Sequence, residues 1–238
     1  MRESIPLSTI VVPLVVAVVV GVAPVASQPA WAKSAITPPF EEARVVADGE
    51  CLANPLRTPF AECEEVADAT NEGLLHARAH ISSPATQEAG ETIASAYARA
   101  EFEHSLRQAG KKKGGSLTVV FNLDVWPAPV ASASSGNDFA DVYLHGFLRA
   151  ACANPSCFTN FSVPLASSSP CSSCLAPGSN TLSVSVFAPQ GVPVGDARVG
   201  LYLSASANLG GDRLPKLEQD RATAEAWVNA RSIEVQWM

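Results

Sequence analysis

Six cysteines, four histidines and a small set of acidic and aromatic residues hold the reactive groups of this chain. Cys51 and Cys63 stand apart as a pair bracketing Asn54-Pro55 and Pro59 in a short loop. Cys152, Cys157, Cys171 and Cys174 crowd into one Pro- and Ser-rich stretch, spaced Cys-x4-Cys-x13-Cys-x2-Cys. That spacing suits either a four-thiolate zinc site or disulfides. The N-terminal segment (below) favours disulfides, because exported thiols meet an oxidising compartment. Cys51 is then expected to bond Cys63 in a clasp worth about 3 kcal/mol through restriction of the unfolded chain. The other four are expected to bond among themselves, in a pairing left open by their spacing. A redox role for Cys171-Ser172-Ser173-Cys174 would need a thiolate stabilised at a helix N-terminus. Ser167-Ser168-Ser169-Pro170 before it reads as loop, so a structural staple is expected.

His76 and His80 lie four apart, on one face of a helix or a strand, but Arg78 sits between them and no Glu completes a HExxH pattern. His104 and His145 have no carboxylate at local spacing, although catalytic triads are defined by geometry and not by sequence order. No serine lies in Gly-x-Ser-x-Gly. Asp138 and Asp141 follow Ser134-Ser135-Gly136 and offer two oxygens to a calcium ion at a loop tip; Gly210-Gly211-Asp212 is a similar loop. Both also read as plain turn formers, and no full set of alternating Asp ligands is present. No cofactor is expected, with calcium the one that these acidic loop residues would suit.

Three aromatics are candidates for ligand contact. Trp227 shares its strand face with Glu225 and Asn229, while Ala224, Ala226 and Val228 take the other. With the alanines inward, the indole faces out, either to stack on a sugar ring or to pack beneath a neighbouring strand. Tyr97 holds the matching position in a similar segment, and Trp126 stands at a strand end before Pro127.

The elements that must position these groups read as strands. Apolar residues alternate with polar ones in Val142–Leu148, Leu182–Val186 and Leu201–Ala207, and Leu117–Trp126 is a further strand ended by Pro127 and Pro129. Residues 92–104 and 222–229 are rich in alanine, the best helix former. Their alanines nevertheless recur at every second position, and each segment feeds an alternating apolar run, Leu117–Phe121 or Ile233–Trp237. Strand is favoured for both, with alanine on an inner face that lets two sheets approach closely. The expected architecture is an all-β antiparallel sandwich, jelly-roll-like, over 74–238, preceded by an irregular clasped segment at 33–73.

The Ala-x-Ala-x-Ala strand, an Asn or Thr, and then Ile-x-Val-x-Trp resemble the repetitive β-sandwich ectodomains of secreted bacterial surface proteins of the PEP-CTERM type. The resemblance covers roughly residues 74–238. It implies an exported jelly-roll-like sandwich and carries over no catalytic residue. After Gln236-Trp237-Met238 there is no Pro-Glu-Pro motif, apolar tail or basic terminus, so release is expected in place of surface anchoring.

Arg2 followed by an uncharged apolar run, Ile10 to Ala23, and then Ala30-Trp31-Ala32 has the form of a signal peptide. Cleavage is expected before Lys33, with a cut after Ala26 as the second site; retention as a membrane anchor is disfavoured by Pro6, Pro13 and Pro24. Residues 1–32 are thus a signal peptide, and the product is secreted, extracellular or periplasmic, with no membrane contact once cleaved. A net charge of −7 argues against nucleic acid, which demands clustered Lys and Arg. Lys111-Lys112-Lys113 before Gly114-Gly115 reads as a solvated turn. The expected role is non-enzymatic binding or coating, with cell-envelope or extracellular polysaccharide as partner. Two alternatives stand beside it: a secreted hydrolase built on dispersed residues such as His104 or His145, and a self-associating matrix protein.

Overall fold

The computed structural model describes residues 33–40, 44–53, 62–83, 94–106, 113–134, 138–150, 157–193, 196–210 and 220–237. The expected signal peptide and Cys152 lie outside them. The described residues form twelve strands and no helix: β1 (Lys33–Ile36), β2 (Arg44–Ala53), β3 (Glu62–Ala69), β4 (Leu74–Ser83), β5 (Ala94–Leu106), β6 (Lys113–Val125), β7 (Val130–Ala133), β8 (Phe139–Ala150), β9 (Cys157–Ser167), β10 (Gly178–Pro193), β11 (Ala197–Leu209) and β12 (Asp220–Trp237). The first sheet has the order β10-β6-β12-β4-β3, with β1 and β7 also on β12; the second is β2-β5-β11-β8-β9. Every pairing is antiparallel. The two alanine-rich segments of open type are both strands, in β5 and β12.

Residues 33–73 differ from expectation. Among the described residues of this stretch, β1 and β3 belong to the first sheet and β2 edges the second. Prolines masked the pattern there. Pro38-Pro39, Pro55 and Pro59 fall between these strands, so the segment reads as loop when proline density is weighed above alternation.

β12 organises the first sheet. Its first half, Asp220–Asn229, pairs with β4, and its second, Val228–Trp237, pairs with β6. β7 takes the open flank of the first half and β1 that of the second. Its sequence changes parity: Ala222, Ala224, Ala226, Val228 and Ala230 are buried, and then Ile233 and Val235. A strict two-residue period would turn Ile233 and Val235 to solvent. A bulge against β6 between Ala230 and Ser232 absorbs the extra residue and keeps both runs inside. Arg231 at the bulge reaches β6, with Nε 3.2 Å from Asp124 Oδ2.

In both sheets alanine takes one end of the inner face and larger side chains the other. Ala77, Ala79, Ala96, Ala98, Ala100, Ala205, Ala207, Ala222, Ala224 and Ala226 are all fully buried. Facing strands of the two sheets, β4 with β5 and β11, and β11 with β12, bring Cα atoms within 8 Å. Packed sheets ordinarily lie about 10 Å apart; methyl groups permit the closer approach. At the other end Phe40 stacks on Phe102 (5.1 Å between centroids) and Phe121 meets Phe161 edge-on across the layers (5.8 Å). Gly146 is the gap into which the Phe161 ring fits: a Cβ there would collide with it. Gly73 closes the β3–β4 turn at φ +84°, and its carbonyl accepts the Ala230 N–H at 2.9 Å.

Cys171 and Cys174 are bonded to each other in the turn between β9 and β10. Cys63 and Cys157 are also disulfide-bonded, so none of these four is available as a zinc thiolate. The expected Cys51–Cys63 clasp involves Cys51, whose side chain is outside the described ones.

Candidate functional site

The outer face of the second sheet carries the residues of opposite parity to the core. β8 presents Tyr143, His145, Phe147 and Arg149; β11 presents Arg198, Gly200, Tyr202 and Ser204; β5 presents Tyr97, Arg99, Glu101 and Glu103; β9 presents Phe158 and Asn160. Antiparallel register sets Tyr202 between Glu101 and His145, and Gly200 between Glu103 and Phe147. The result is a groove of about 270 Å³ lined by Arg99, Glu103, His145, Phe147, Arg149, Phe158, Asn160, Arg198 and Tyr202.

One wall is a three-layer stack. The Tyr202 ring lies 4.2 Å from His145, nearly parallel, and the Arg99 guanidinium carbon lies 4.1 Å from the centroid of the Tyr202 ring. Such cation–aromatic contacts stabilise by about 0.5–2 kcal/mol, more as water is excluded. Arg99 is held by Glu101 at 2.6 Å, and His145 Nε2 lies 3.2 Å from Ser204 Oγ. The groove floor depends on a missing side chain. At Gly200 the Phe147 ring extends across the sheet into the space a Cβ would occupy. Phe147 thus reclines beside the wall, and Phe158 stands more than half exposed on the next strand. Burial, and then the Arg99 charge, hold the His145 pKa below the ordinary imidazole range.

Among the described residues no carboxylate reaches His145, and its charged neighbour is Arg99. Ser204 Oγ lies 3.5 Å from the Tyr143 carbonyl, inside a regular ladder whose N–H groups are already paired. His104 faces the interior, its ring 6.0 Å from Phe40.

The three aromatics singled out from sequence are not brought together. Trp227 is on the outer face of the first sheet, half-buried, its indole covered by the His76 ring at 3.6 Å. His76 in turn sits between Glu225 (Nε2–Oε1 3.0 Å) and Asp68 (Nδ1–Oδ2 3.4 Å). Trp126 projects beyond the end of β6, 74% exposed. Tyr97 is on the groove's face of the second sheet, one alternate position before Arg99, but does not line it. His80, the other half of the possible metal pair, bonds Thr223 at 2.7 Å.

Of the two calcium candidates, Asp138 is held by hydrogen bonds within the protein. Asp138 is buried, accepting Ser134 Oγ–H through Oδ2 and the Gly210 N–H through Oδ1, both at 3.0 Å. Ser134 also receives the Arg221 N–H, so Asp138 fastens the ends of β11 and β12 to the β7–β8 loop. Asp141 lies on β8 opposite Ser206 and Ser167. Among the described residues no three His, Cys, Asp or Glu side chains could together hold a metal ion.

Apart from His145, sequence reasoning passed over the groove residues because the Val142–Leu148 strand was read for its apolar parity. The opposite parity, Tyr143-x-His145-x-Phe147-x-Arg149, was the available signal.

No family model and no curated protein matches the chain. Among solved structures, the enzymatically active domain of tailspike protein 4 of bacteriophage CBA120 is similar at TM-score 0.32 and 8% identity, over 84% of this chain and 20% of that one. A carbohydrate-binding module from the β-sandwich superfamily is similar at TM-score 0.29 and 10% identity, over 84% of this chain and 58% of that one. TmCBM61, solved with β-1,4-galactotriose, is similar at TM-score 0.29 and 9% identity, over 84% of this chain and 90% of that one. The chain therefore spans a fifth of the tailspike domain and under two thirds of the first module.

Proposed function

We propose that this protein is an exported, non-catalytic glycan-binding sandwich whose ligand lies in the groove on the outer face of the second sheet. The observation that carries the proposal is the groove's composition: an aromatic floor beside planar polar groups held in place before any ligand arrives. A pyranose ring has apolar C–H faces and an equator of hydroxyls. Phe147 and Phe158 meet the faces, and Glu103, Asn160, His145 and the arginines meet the hydroxyls. Because Tyr202 is already clamped between Arg99 and His145, little side-chain entropy remains to be lost on binding. A shallow groove on a sheet face leaves both ends open, which suits an internal stretch of a polysaccharide from the cell envelope or the extracellular matrix.

Export is supported by the apolar N-terminal run ending in Ala30-Trp31-Ala32 and by the bonded cysteines, since disulfides persist in oxidising compartments. The test is affinity electrophoresis and calorimetry against a polysaccharide panel. Phe147→Ala and Phe158→Ala are each expected to weaken binding about tenfold, the loss of about 1.4 kcal/mol that marks an interface hot spot. Trp227→Ala is expected to leave it unchanged. Failure to bind any glycan, or binding indifferent to both phenylalanines, refutes the proposal.

A further inference from the structure

Resting on the glycan-binding role proposed above, we infer that the groove selects anionic sugar chains, with Arg149 and Arg198 forming the subsite for the charged substituent. The two arginines are direct cross-strand partners in the β11–β8 register, and both point to the outer face at one end of the groove. Like charges placed directly opposite each other on adjacent strands destabilise a sheet. The compensation within the protein is slight: Arg198 Nη1 is 3.7 Å from Glu103 Oε2, beyond hydrogen-bonding distance, and Arg149 has no ion pair among the described residues.

The adjacent wall shows an arginine engaged by close neighbours in the same sheet. Arg99 holds Glu101 at 2.6 Å and covers the Tyr202 ring. Arg149 and Arg198 have no such arrangement, although the chain as a whole carries a net charge of −7 and acidic residues outnumber basic ones. Two arginines lining the same groove beside an apolar floor match an oxyanion attached to a sugar ring. A carboxylate, or a sulfate or phosphate ester, accepts paired N–H bonds from an arginine fork, while the ring lies on Phe147 and Phe158. Opposite charge between the forks relieves the repulsion, so the free protein is poised for an anion.

The experiment titrates the purified protein with uronate oligosaccharides (galacturonate, mannuronate and glucuronate), their neutral methyl esters, and sulfated oligosaccharides. At least one anionic chain is expected to bind about tenfold or more tighter than its uncharged counterpart at low salt, with the advantage shrinking as salt rises. Arg149→Gln with Arg198→Gln is expected to abolish that advantage, so that the anionic chain binds no more tightly than its neutral counterpart, at an unchanged melting temperature. Whether uronates or sulfated chains show the effect identifies the source of the anion. Equal affinity for charged and neutral chains, or a charge preference that survives the double substitution, overturns the inference and leaves the groove assignment standing. Loss of all binding preference for Phe147 and Phe158 strikes the glycan-binding role itself, so the two failures are separable.

Discussion

Replacing Ala205 with leucine measures how closely the two sheets approach. Ala205 lies on the inner face of β11, opposite Ala98 on β5 and Val142 on β8, and is fully buried. Strand β4, which brings Cα atoms within 8 Å of β11, carries Ala77 and Ala79 on its inner face. At ordinary sheet spacing the added carbons would find room, and their burial would stabilise by roughly 2.4 kcal/mol at about 0.8 kcal/mol per CH₂. At the observed spacing they have nowhere to go, and overpacking costs about 1–3 kcal/mol, sometimes more. The sign of the change therefore reports the spacing. Taking about 3 kcal/mol, and about 2–4 °C per kcal/mol for a chain of this size, Ala205→Leu lowers Tm by roughly 6–12 °C. Ser206→Leu, one position along on the outer face, shifts stability by only about 0.5 kcal/mol. Calorimetry or a circular-dichroism melt reads both. A Tm for Ala205→Leu equal to or above that of the parent protein would refute the close approach of the alanine faces.

Gly200→Val is expected to drive Phe147 off the groove floor, abolishing glycan binding while the melt stays cooperative; retained affinity would show that the floor is not built on Gly200. Gly73→Ala combines a left-handed backbone with a Cβ placed 2.6 Å from the Ala230 carbonyl oxygen, and should cost about 3 kcal/mol in chemical denaturation. For His145, Arg99→Gln removes the lesser of the two causes that depress its pKa. NMR titration should show a rise that stops short of the ordinary 6.5 because burial remains; no rise would remove Arg99 from the account. The sign for stability follows. With the folded pKa below 6.5, the unfolded chain takes up the proton first, so His145's contribution is full above pH 6.5 and is lost as pH falls through the folded pKa. Acid unfolding in that window should be shallower in Arg99→Gln.

Much of this fold was legible because a strand with one buried face writes its period into the sequence. Alanine at alternate positions in 94–100 and 222–226 outweighed alanine's preference for helix: once buried against another sheet, a methyl every second residue packs, whereas a helix would scatter those methyls around its axis. The strands of residues 33–73 were not legible, since the prolines between them dominate the local signal. Parity placed Trp227 on the outer face, to stack on a sugar or to pack beneath a neighbouring strand, and was right about the face. It could not show that His76, on a strand far away in sequence, would lie flat on the indole.

For the alternating segments it could read, the sequence alone determined which side faces in and how small the inner residues are. These are local consequences of a two-residue period and of side-chain volume. Only the tertiary structure decided which outward residues became neighbours. Arg99, His145, Phe158 and Tyr202 come from four strands, and their meeting depends on register and strand order. Those quantities are fixed by the joint packing of both sheets, where one bulge at Ala230–Ser232 and two glycines under phenylalanine rings set the alignment that no single segment encodes.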